Sequence, residues 1–183
     1  KKLSIKAKQD LESMGVDVQL NSIVTQVTKD GVAINDTFIE TENIIWAAGN
    51  TASPLISNLT EATNNMDQAK VNPDFSIQED PSIFCIGDCA TLTDTENTLV
   101  PGVAQGAIQA AQFVSRQIVN DQDGKPRESF TYKNKGLMAT IGRSRAVAHI
   151  GHYQFSGFFA WLLWSVIHIM FLVEFRNKLL VFF

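Results

Sequence analysis

The sequence predicts an α/β fold, or α+β within its 183 residues, that ends in an apolar and basic C-terminal region. Three observations predict this fold. Short β-branched runs between turn residues indicate strands, a fully apolar run at Ile83–Ile86 is typical of a buried parallel strand, and apolar spacing from Val103 to Asn120 indicates a helix. With 45% hydrophobic and 19% charged residues, the chain is too apolar to be disordered.

The first quarter of the chain predicts a helix followed by strands. Apolar side chains recur at helical spacing from Leu3 to Met14, and Gly15 follows where a C-terminal cap is expected. Asp30-Gly31 and Asn35-Asp36 are typical hairpin turns. Five short runs predict strands: Val16–Leu20, Ile23–Thr28, Val32–Ile34, Thr37–Ile39 and Ile44–Ala47.

The middle of the chain predicts a connection, a strand and a helix. Residues 51–80 are polar and contain several turn signals, which is typical of a connection. The predicted strand Ile83–Ile86 ends at Gly87-Asp88 and would bring the aspartate to a sheet edge. Gly102 and Gly106 would let another backbone or a flat ligand approach the following helix closely. The apolar face predicted for this helix consists of Ala104, Ala107, Ile108, Ala111, Val114 and Ile118.

The last third predicts a short strand, a hairpin and an apolar helix. Phe130–Tyr132 favours a strand, and Leu137–Ile141 with Ala146–Ile150 favours a hairpin. In the run Gly157–Val173, the only polar residues are Ser165 and His168. As a helix it would span roughly 26 Å, slightly less than the ~30 Å hydrocarbon core of a bilayer. It needs a partner, which could be a bilayer surface, a bilayer span, a second copy or the core of the protein.

Charge is distributed unevenly along the chain. Residues 1–124 carry 7 basic and 17 acidic side chains, whereas residues 125–183 carry 8 basic and 2 acidic ones. Arg176 and Lys178 flank the apolar run. A basic and apolar end is attracted to an anionic membrane surface.

Several patterns are missing from the sequence. Cys85 and Cys89 have neither a zinc-ligand spacing nor that of a Cys-x-x-Cys pair, so buried, reduced cysteines are expected, without a metal site. No Gly-x-Gly-x-x-Gly follows a strand, so the phosphate-binding strand-turn-helix units of a dinucleotide site are not in these residues. The N-terminus has no apolar run typical of a signal peptide. We expect a fragment, or a chain that a partner completes.

Two motifs carry a family resemblance. Residues 83–90 (Ile-Phe-Cys-Ile-Gly-Asp-Cys-Ala) and 101–109 (Pro-Gly-Val-Ala-Gln-Gly-Ala-Ile-Gln) resemble the second flavin-binding block of pyridine nucleotide-dependent flavoprotein reductases. The glutamines of the second motif, residues 140–143 and the tail 157–178 are more specifically similar to type II NADH dehydrogenases. Ile44–Gly49 also resembles the strand that closes the nicotinamide domain of that family.

The resemblance implies an incomplete FAD/NAD(P)-binding fold of two dinucleotide domains with a membrane-docking region. Residues 1–50 would end the nicotinamide-binding domain, 51–80 would connect, 81–124 would close the FAD-binding domain, and 125–183 would anchor the protein. The implied enzyme passes two electrons from NADH through FAD to a membrane quinone without proton pumping. It would act at the cytoplasmic face of the cell membrane as a homo-oligomer, with lipid as a partner and no nucleic acid.

The resemblance also implies the cofactor-binding residues. Asp88, after Gly87, would bind the ribityl hydroxyls of FAD, although Gly-Asp alone favours a simple turn. The helix start at Val103, Ala104 and Gln105 would present N–H groups to the negative charge of a reduced flavin, since helix N-termini stabilise anions.

The remaining implied residues contact the substrates. Gln105 and Gln109, one helical turn apart, would lie over the flavin ring as the catalytic quinone contacts; the alternative is two glutamines on a solvated face. Ala48 and Gly49 would let the chain pass close to a pyrophosphate, where glycine alone would more often mark a turn.

Two other classes of function remain open. A sulfide:quinone or disulfide reductase would show a redox cysteine pair near the flavin, and Cys85 and Cys89 lack that spacing. A non-catalytic membrane-binding module would need neither Asp88 nor the two glutamines. We expect the 183 residues by themselves to bind FAD poorly and not to oxidise NADH.

Overall fold

The computed structural model describes residues 2–171, which form two compact units. One unit is the central segment Trp46–Asn134, and the other consists of the described residues on either side of that segment.

The N-terminal part of the flanking unit contains a helix and a three-stranded sheet. Helix α1 is Lys2–Ser13, and the antiparallel sheet has the order β1 (Val24–Thr28), β2 (Gly31–Ile34), β3 (Thr37–Glu40). The predicted helix and the three central strands are confirmed. Asn35 has φ +50°, the left-handed conformation that a tight hairpin turn requires.

Two predicted strands of this region are wrong. Val16–Leu20 and Ile44–Ala47 lie outside the ladders, because no strand among the described residues pairs with them. Without a neighbouring strand, apolar alternation cannot bury its side chains. Leu20 is accordingly 64% exposed and Ile45 is 92% exposed.

The central unit has little regular structure apart from one long helix. Strands β4 (Ala69–Lys70) and β5 (Ala90–Thr91) form a two-residue parallel pair, and helix α2 is Ala104–Gln122. The predicted helix is therefore confirmed. Short 3₁₀ turns lie at Ile56–Asn58 and Gly87–Cys89.

Two strands predicted in the central unit are also wrong. Ile83–Ile86 makes a single antiparallel bridge, between Phe84 and Ser76, rather than a parallel ladder. Phe130–Tyr132 is likewise irregular, although Phe130 and Tyr132 are buried. In both runs the hydrophobic side chains pack into a core, but the backbone hydrogen bonds go to turns and loops.

Three phenylalanines form the centre of that core. The ring of Phe130 lies 4.9 Å from Phe75 and 5.3 Å from Phe113 between centroids, both edge to face. Residues 51–80, which read as a connection, contribute core side chains including the fully buried Ile77.

The buried face of α2 agrees with the predicted one only in part: Val114 is buried as predicted, whereas Ala104 and Ala111 are exposed. Ile108 and Ile118 are 45% and 44% exposed. Small alanines made the apolar pattern ambiguous between two faces, and the large ring of Phe113 determines which of them enters the core. The buried residues are Gly106, Ala110, Phe113, Val114 and Gln117.

The C-terminal part of the flanking unit is a three-stranded sheet covered by a helix. Strands β6 (Leu137–Gly142), β7 (Arg145–Ile150) and β8 (Tyr153–Gly157) are antiparallel in that order, and helix α3 is Phe158–Phe171. The predicted hairpin is confirmed, with Ser144 at φ +61° in its turn; β8 was not predicted. The core here consists of Ala146, Ala148 and Ala160.

Helix α3 confirms the predicted apolar helix as far as the structure describes it. Its small side chain Ala160 faces the sheet, while large ones such as Phe159 (78%) and Met170 (69%) are exposed. His168 Nδ1 lies 2.8 Å from the carbonyl oxygen of Trp164. Within residues 2–171, no helix combines the length and hydrophobicity needed to cross a membrane. The end of the predicted helix, Arg176 and Lys178 lie outside the described residues.

Candidate functional site

The predicted flavin-binding aspartate lies in a tight turn of the central unit. Gly87 has φ +69°, a conformation that favours glycine, and begins the 3₁₀ turn that carries Asp88. The Asp88 side chain is exposed, and its carbonyl oxygen accepts a 3.0 Å hydrogen bond from Gln68 Nε2. The turn therefore holds the carboxylate at the surface by its backbone and leaves it accessible to a ligand.

The start of α2 lies beside this carboxylate. A Cβ placed on Gly102 would be 3.7 Å from Asp88 Oδ1. Val103 precedes the helix in an extended conformation (φ −134°) and no side chain caps the helix N-terminus. The first N–H groups of a helix have no acceptor within the helix and carry the positive end of its dipole. An exposed carboxylate and a helix start without a side-chain cap are thus adjacent.

Gly106 permits the close packing of this helix start, whereas a Cβ on Gly87 would make only an ordinary contact. A Cβ on Gly106 would lie only 2.5 Å from the carbonyl oxygen of Pro101, and one on Gly87 would be 3.6 Å from Ala107 Cβ. The predicted close approach at Gly106 is confirmed, and the approaching group is the chain's own backbone.

An open cleft lies between the turn and α2. It holds about 20 Å³, so a large planar ligand would lie across its mouth rather than inside it. Of the predicted site residues, Gly87 and Val103 line it. The others do not: Ala48, Gly49, Asp88, Ala104, Gln105 and Gln109. Its lining is mostly apolar: Phe75, Gly87, Ala90, Leu92, Val100, Pro101, Gly102, Val103, Gly106, Ala107 and Ala110.

The two glutamines predicted as quinone contacts are in different situations. Both are partly buried on the first turns of α2. Gln109 Nε2 donates to the carbonyl oxygen of Lys133 at 3.0 Å, and Lys133 N donates to Gln109 Oε1 at 3.0 Å. The oxygen and the nitrogen of the Gln109 amide are therefore both already bonded to the Lys133 backbone.

Ala48 and Gly49 are exposed at the beginning of the central unit. Gly49 has φ +104°, and a Cβ there would meet no atom within 4 Å. Its glycine is explained by this backbone conformation, so the pyrophosphate contact stays a prediction.

Cys85 and Cys89 are both free thiols; Cys85 precedes the Asp88 turn and Cys89 is its last residue. Cys85 is buried, and its Sγ donates to the carbonyl oxygen of Cys89 at 3.4 Å. Burial, followed by the neighbouring Cys89, raises the pKa of the Cys85 thiol. A thiol with a raised pKa is a poor nucleophile at neutral pH, which disfavours a cysteine-based reductase.

Asp94 is a buried carboxylate that the sequence did not single out. Its Oδ2 accepts the N–H of Tyr132 at 2.8 Å, and its Oδ1 accepts the N–H groups of Glu96 and Thr98. These bonds, Tyr132 first, hold the pKa of Asp94 below its ordinary value. The turn-forming residues after Asp94 were the only signal in the sequence, because Tyr132 is 38 positions away.

Arg127 connects three parts of the central unit. Its guanidinium donates to Asp121 and Asp74 and to the carbonyl oxygen of Pro81, and lies 4.6 Å from the centre of the Phe84 ring. The hydrogen bond with Asp121, the largest contribution, raises the pKa of Arg127 and lowers that of Asp121. Arg127 therefore fixes the segment that follows α2.

Comparisons with known proteins identify the family of the chain. The family model for pyridine nucleotide-disulphide oxidoreductases matches residues 1–111, which include the Asp88 turn and the start of α2. The chain belongs to this family. The model of the NDH2 C-terminal domain matches residues 134–183, and the resemblance to type II NADH dehydrogenases is confirmed.

The relatives in sequence are longer than this chain. Two type II NADH:quinone oxidoreductases of Mycobacterium tuberculosis, NdhA and Ndh, are each 40% identical over 100% and 97% of the chain. The chain spans 41% and 40% of their lengths.

A solved structure shares the fold. NDH2 from Plasmodium falciparum, solved in complex with NADH, has a TM-score of 0.83 at 20% identity, covering 98% of this chain and 52% of that one. The likeness confirms the predicted α/β fold class.

Proposed function

We propose that this chain is part of an FAD-dependent enzyme that transfers two electrons from NADH to a membrane quinone without pumping protons. The observation that carries the proposal is the position of the Asp88 carboxylate beside the uncapped start of α2. The names of the Mycobacterium tuberculosis relatives support the substrates. Segments beyond these residues would bind most of the two dinucleotides, because the chain has no Gly-x-Gly-x-x-Gly motif after a strand.

The residues present fit a flavin. Asp88 is exposed and offers acceptors to sugar hydroxyls, and the start of α2 offers donors to a negatively charged ring edge. The glycines keep Cβ atoms out of the turn and the helix start, so a flat group can approach the backbone. FAD, when bound, would supply the two-electron chemistry between NADH and the quinone.

The chain's own residues would bind and orient. Asp88 would hold the ribityl chain, Val103 and Ala104 would place the helix dipole at the ring, and Gln105 would contact the quinone. Gln109 would support that contact from the next turn of α2. Ala48 and Gly49 would let the backbone pass close to a pyrophosphate. We assign residues 1–50 to the nicotinamide domain, 81–124 to the FAD domain and 125–183 to the anchor. Residues 51–80 connect the first two along the chain and also pack into the core of the central unit.

Helix α3 would dock on the membrane. Its exposed large apolar side chains, including Phe158 and Phe171, suit the interfacial region of a bilayer, where quinones are dissolved. The NDH2 C-terminal domain match supports peripheral association with the membrane. The cytoplasmic face and a homo-oligomeric state are parts of the proposal that rest on the family resemblance.

An Asp88→Ala substitution in the full-length protein tests the flavin site. Loss of hydrogen bonds to a charged acceptor costs about 1.5–3 kcal/mol, which corresponds to roughly ten- to hundredfold weaker flavin binding. Flavin content would be measured from visible absorbance after purification, and NADH:quinone activity would fall in proportion to it.

Asp123→Ala is the matched control, since Asp123 is an acid whose side chain pairs with Lys125 at the surface, at the far end of α2. Its flavin content and activity should equal those of the unmodified protein. A colourless full-length protein, or an Asp88→Ala variant that keeps all of its flavin, would refute the proposal. Vesicle binding without any flavin would instead support a non-catalytic membrane module.

A further inference from the structure

We propose that Gln109 is a positioning residue: its amide fixes the main chain of Lys133 as a wall of the quinone site beside the first turns of α2. This inference rests on the proposed function. Gln109 would then support the segment that ends at Lys133 rather than contact the substrate itself. We call this segment, residues 127–133, the strap.

The side-chain amide of Gln109 pairs with the main chain of Lys133. Gln109 donates to the Lys133 carbonyl oxygen and accepts from the Lys133 N–H, both at 3.0 Å. A side-chain amide bonded to both main-chain groups of one residue imitates a pair of antiparallel strands. The amide oxygen and nitrogen of Gln109 are then both directed at the backbone rather than at a ligand.

The strap has no helix or strand, so side chains and loops supply its backbone partners. Asp94 Oδ2 accepts the Tyr132 N–H at 2.8 Å, Gln117 Oε1 accepts the Glu128 N–H at 2.8 Å, and Phe130 N donates to the carbonyl oxygen of Pro73. The strap is therefore attached along its whole length.

The two glutamines that attach the strap lie at different positions along α2. Gln117 binds the beginning of the strap and lies about three helical turns after Gln105. Its side chain is fully buried. Gln109 holds the end of the strap, next to the helix start and one turn from Gln105. Loss of the Gln109 bonds would free the end of the strap, which lies near the proposed quinone site. Loss of the Gln117 bond would free the beginning of the strap, which lies farther from that site.

The experiment compares two methionine substitutions in the full-length enzyme. Gln109→Met keeps the length of the side chain and removes both hydrogen bonds to Lys133. Gln117→Met likewise keeps the length and removes the one hydrogen bond to Glu128. Gln112→Met, at an exposed glutamine of the same helix, is the control. The measurements are amide hydrogen exchange of peptides across 127–134, KM and kcat for a soluble short-chain quinone, and NADH oxidation with ferricyanide, which needs no quinone site.

For Gln109→Met we expect exchange at Lys133 to accelerate about tenfold, as loss of a net hydrogen bond predicts. KM for the quinone should rise several-fold, while kcat and the ferricyanide rate stay within about twofold of the unmodified enzyme. Gln117→Met should accelerate exchange at Glu128 and leave the KM for the quinone unchanged. Gln112→Met should alter none of these quantities.

Three results would overturn the inference. Unchanged exchange at Lys133 in Gln109→Met would show that the pair does not hold the strap. Accelerated exchange with an unchanged quinone KM would show that the strap does not form the substrate site. A fall in kcat alone would make Gln109 a direct catalytic contact. If the unmodified enzyme reduces no quinone, the proposed function fails, whereas the exchange experiment still reports separately on the pair.

Discussion

Different interactions stabilise the central unit and the C-terminal sheet with α3. The central unit Trp46–Asn134 has two-residue strands, an aromatic core and buried polar side chains bonded to distant backbone. The C-terminal part has continuous ladders from β6 to β8 and a core of three alanines. Its large apolar side chains, such as Phe159, lie on the surface instead.

The difference follows from where the backbone hydrogen bonds go. A sheet and a helix satisfy their own backbone, so their side chains are available for an outward surface. An irregular segment must recruit side chains, and Asp94, Gln109 and Gln117 do so in the central unit. We infer that the irregular unit suits a precisely shaped ligand site and that the regular one suits an apolar docking surface.

Removing a core ring should have the largest effect on this contrast. Phe113→Ala takes one of three mutually packed rings from the central unit and should lower the free energy of unfolding by about 3–5 kcal/mol. Phe159→Ala, at a 78% exposed ring of α3, should change it by less than about 0.5 kcal/mol. Urea titration of both variants measures the difference, and equal losses would contradict the contrast.

Enlarging the alanine core should have the next largest effect. Ala148 is 1% exposed on β7, so Ala148→Leu would overpack the sheet against α3 and cost about 1–3 kcal/mol. Ala139→Leu on the neighbouring β6 is the control, because Ala139 is exposed. Thermal melts of the two variants decide the point. If the Ala148 variant melts like the control, the small core is not a packing requirement.

The smallest expected effect is a pH dependence at Asp94. Hydrogen bonds from Tyr132 and Thr98 lower the folded-state pKa of this carboxyl, so its contribution to stability is present above its ordinary pKa, near 4, and is lost as pH falls through the lowered value. Asp94→Asn should therefore destabilise the protein at pH 6, and the difference from the unmodified protein should shrink at pH 3. Urea midpoints at the two pH values test this. A constant difference would mean that the carboxylate charge does not contribute.

The elements that the sequence predicts well are those with local causes. The spacing from Leu3 to Met14 and the helix after Pro101 depend on neighbours three and four positions away, and the turn around Ser144 depends on adjacent residues. The strands predicted at Val16–Leu20, Ile44–Ala47 and Ile83–Ile86 failed because pairing depends on a partner strand that local alternation does not reveal.

The candidate site likewise contains residues that are close together in sequence and residues whose partners are far away in the chain. Gly87, Asp88 and the helix start at Val103 lie close together in one stretch of sequence, and the structure places Asp88 beside that helix start. The role of Gln109 could not be predicted in this way, since Lys133 is 24 positions away and its partner atoms belong to the backbone. Asp94 was missed for the same reason.

By itself, the sequence determined the family, the helices, the charged and apolar ends, and the aspartate turn next to a helix start, because each depends on residue types at short spacing. Only the tertiary structure decided which face of α2 is buried, which carboxylate and which amide hold the strap, and which apolar side chains stay exposed on α3. Those outcomes depend on contacts between positions far apart in the chain, where volume and backbone hydrogen bonding, rather than local pattern, select the partners.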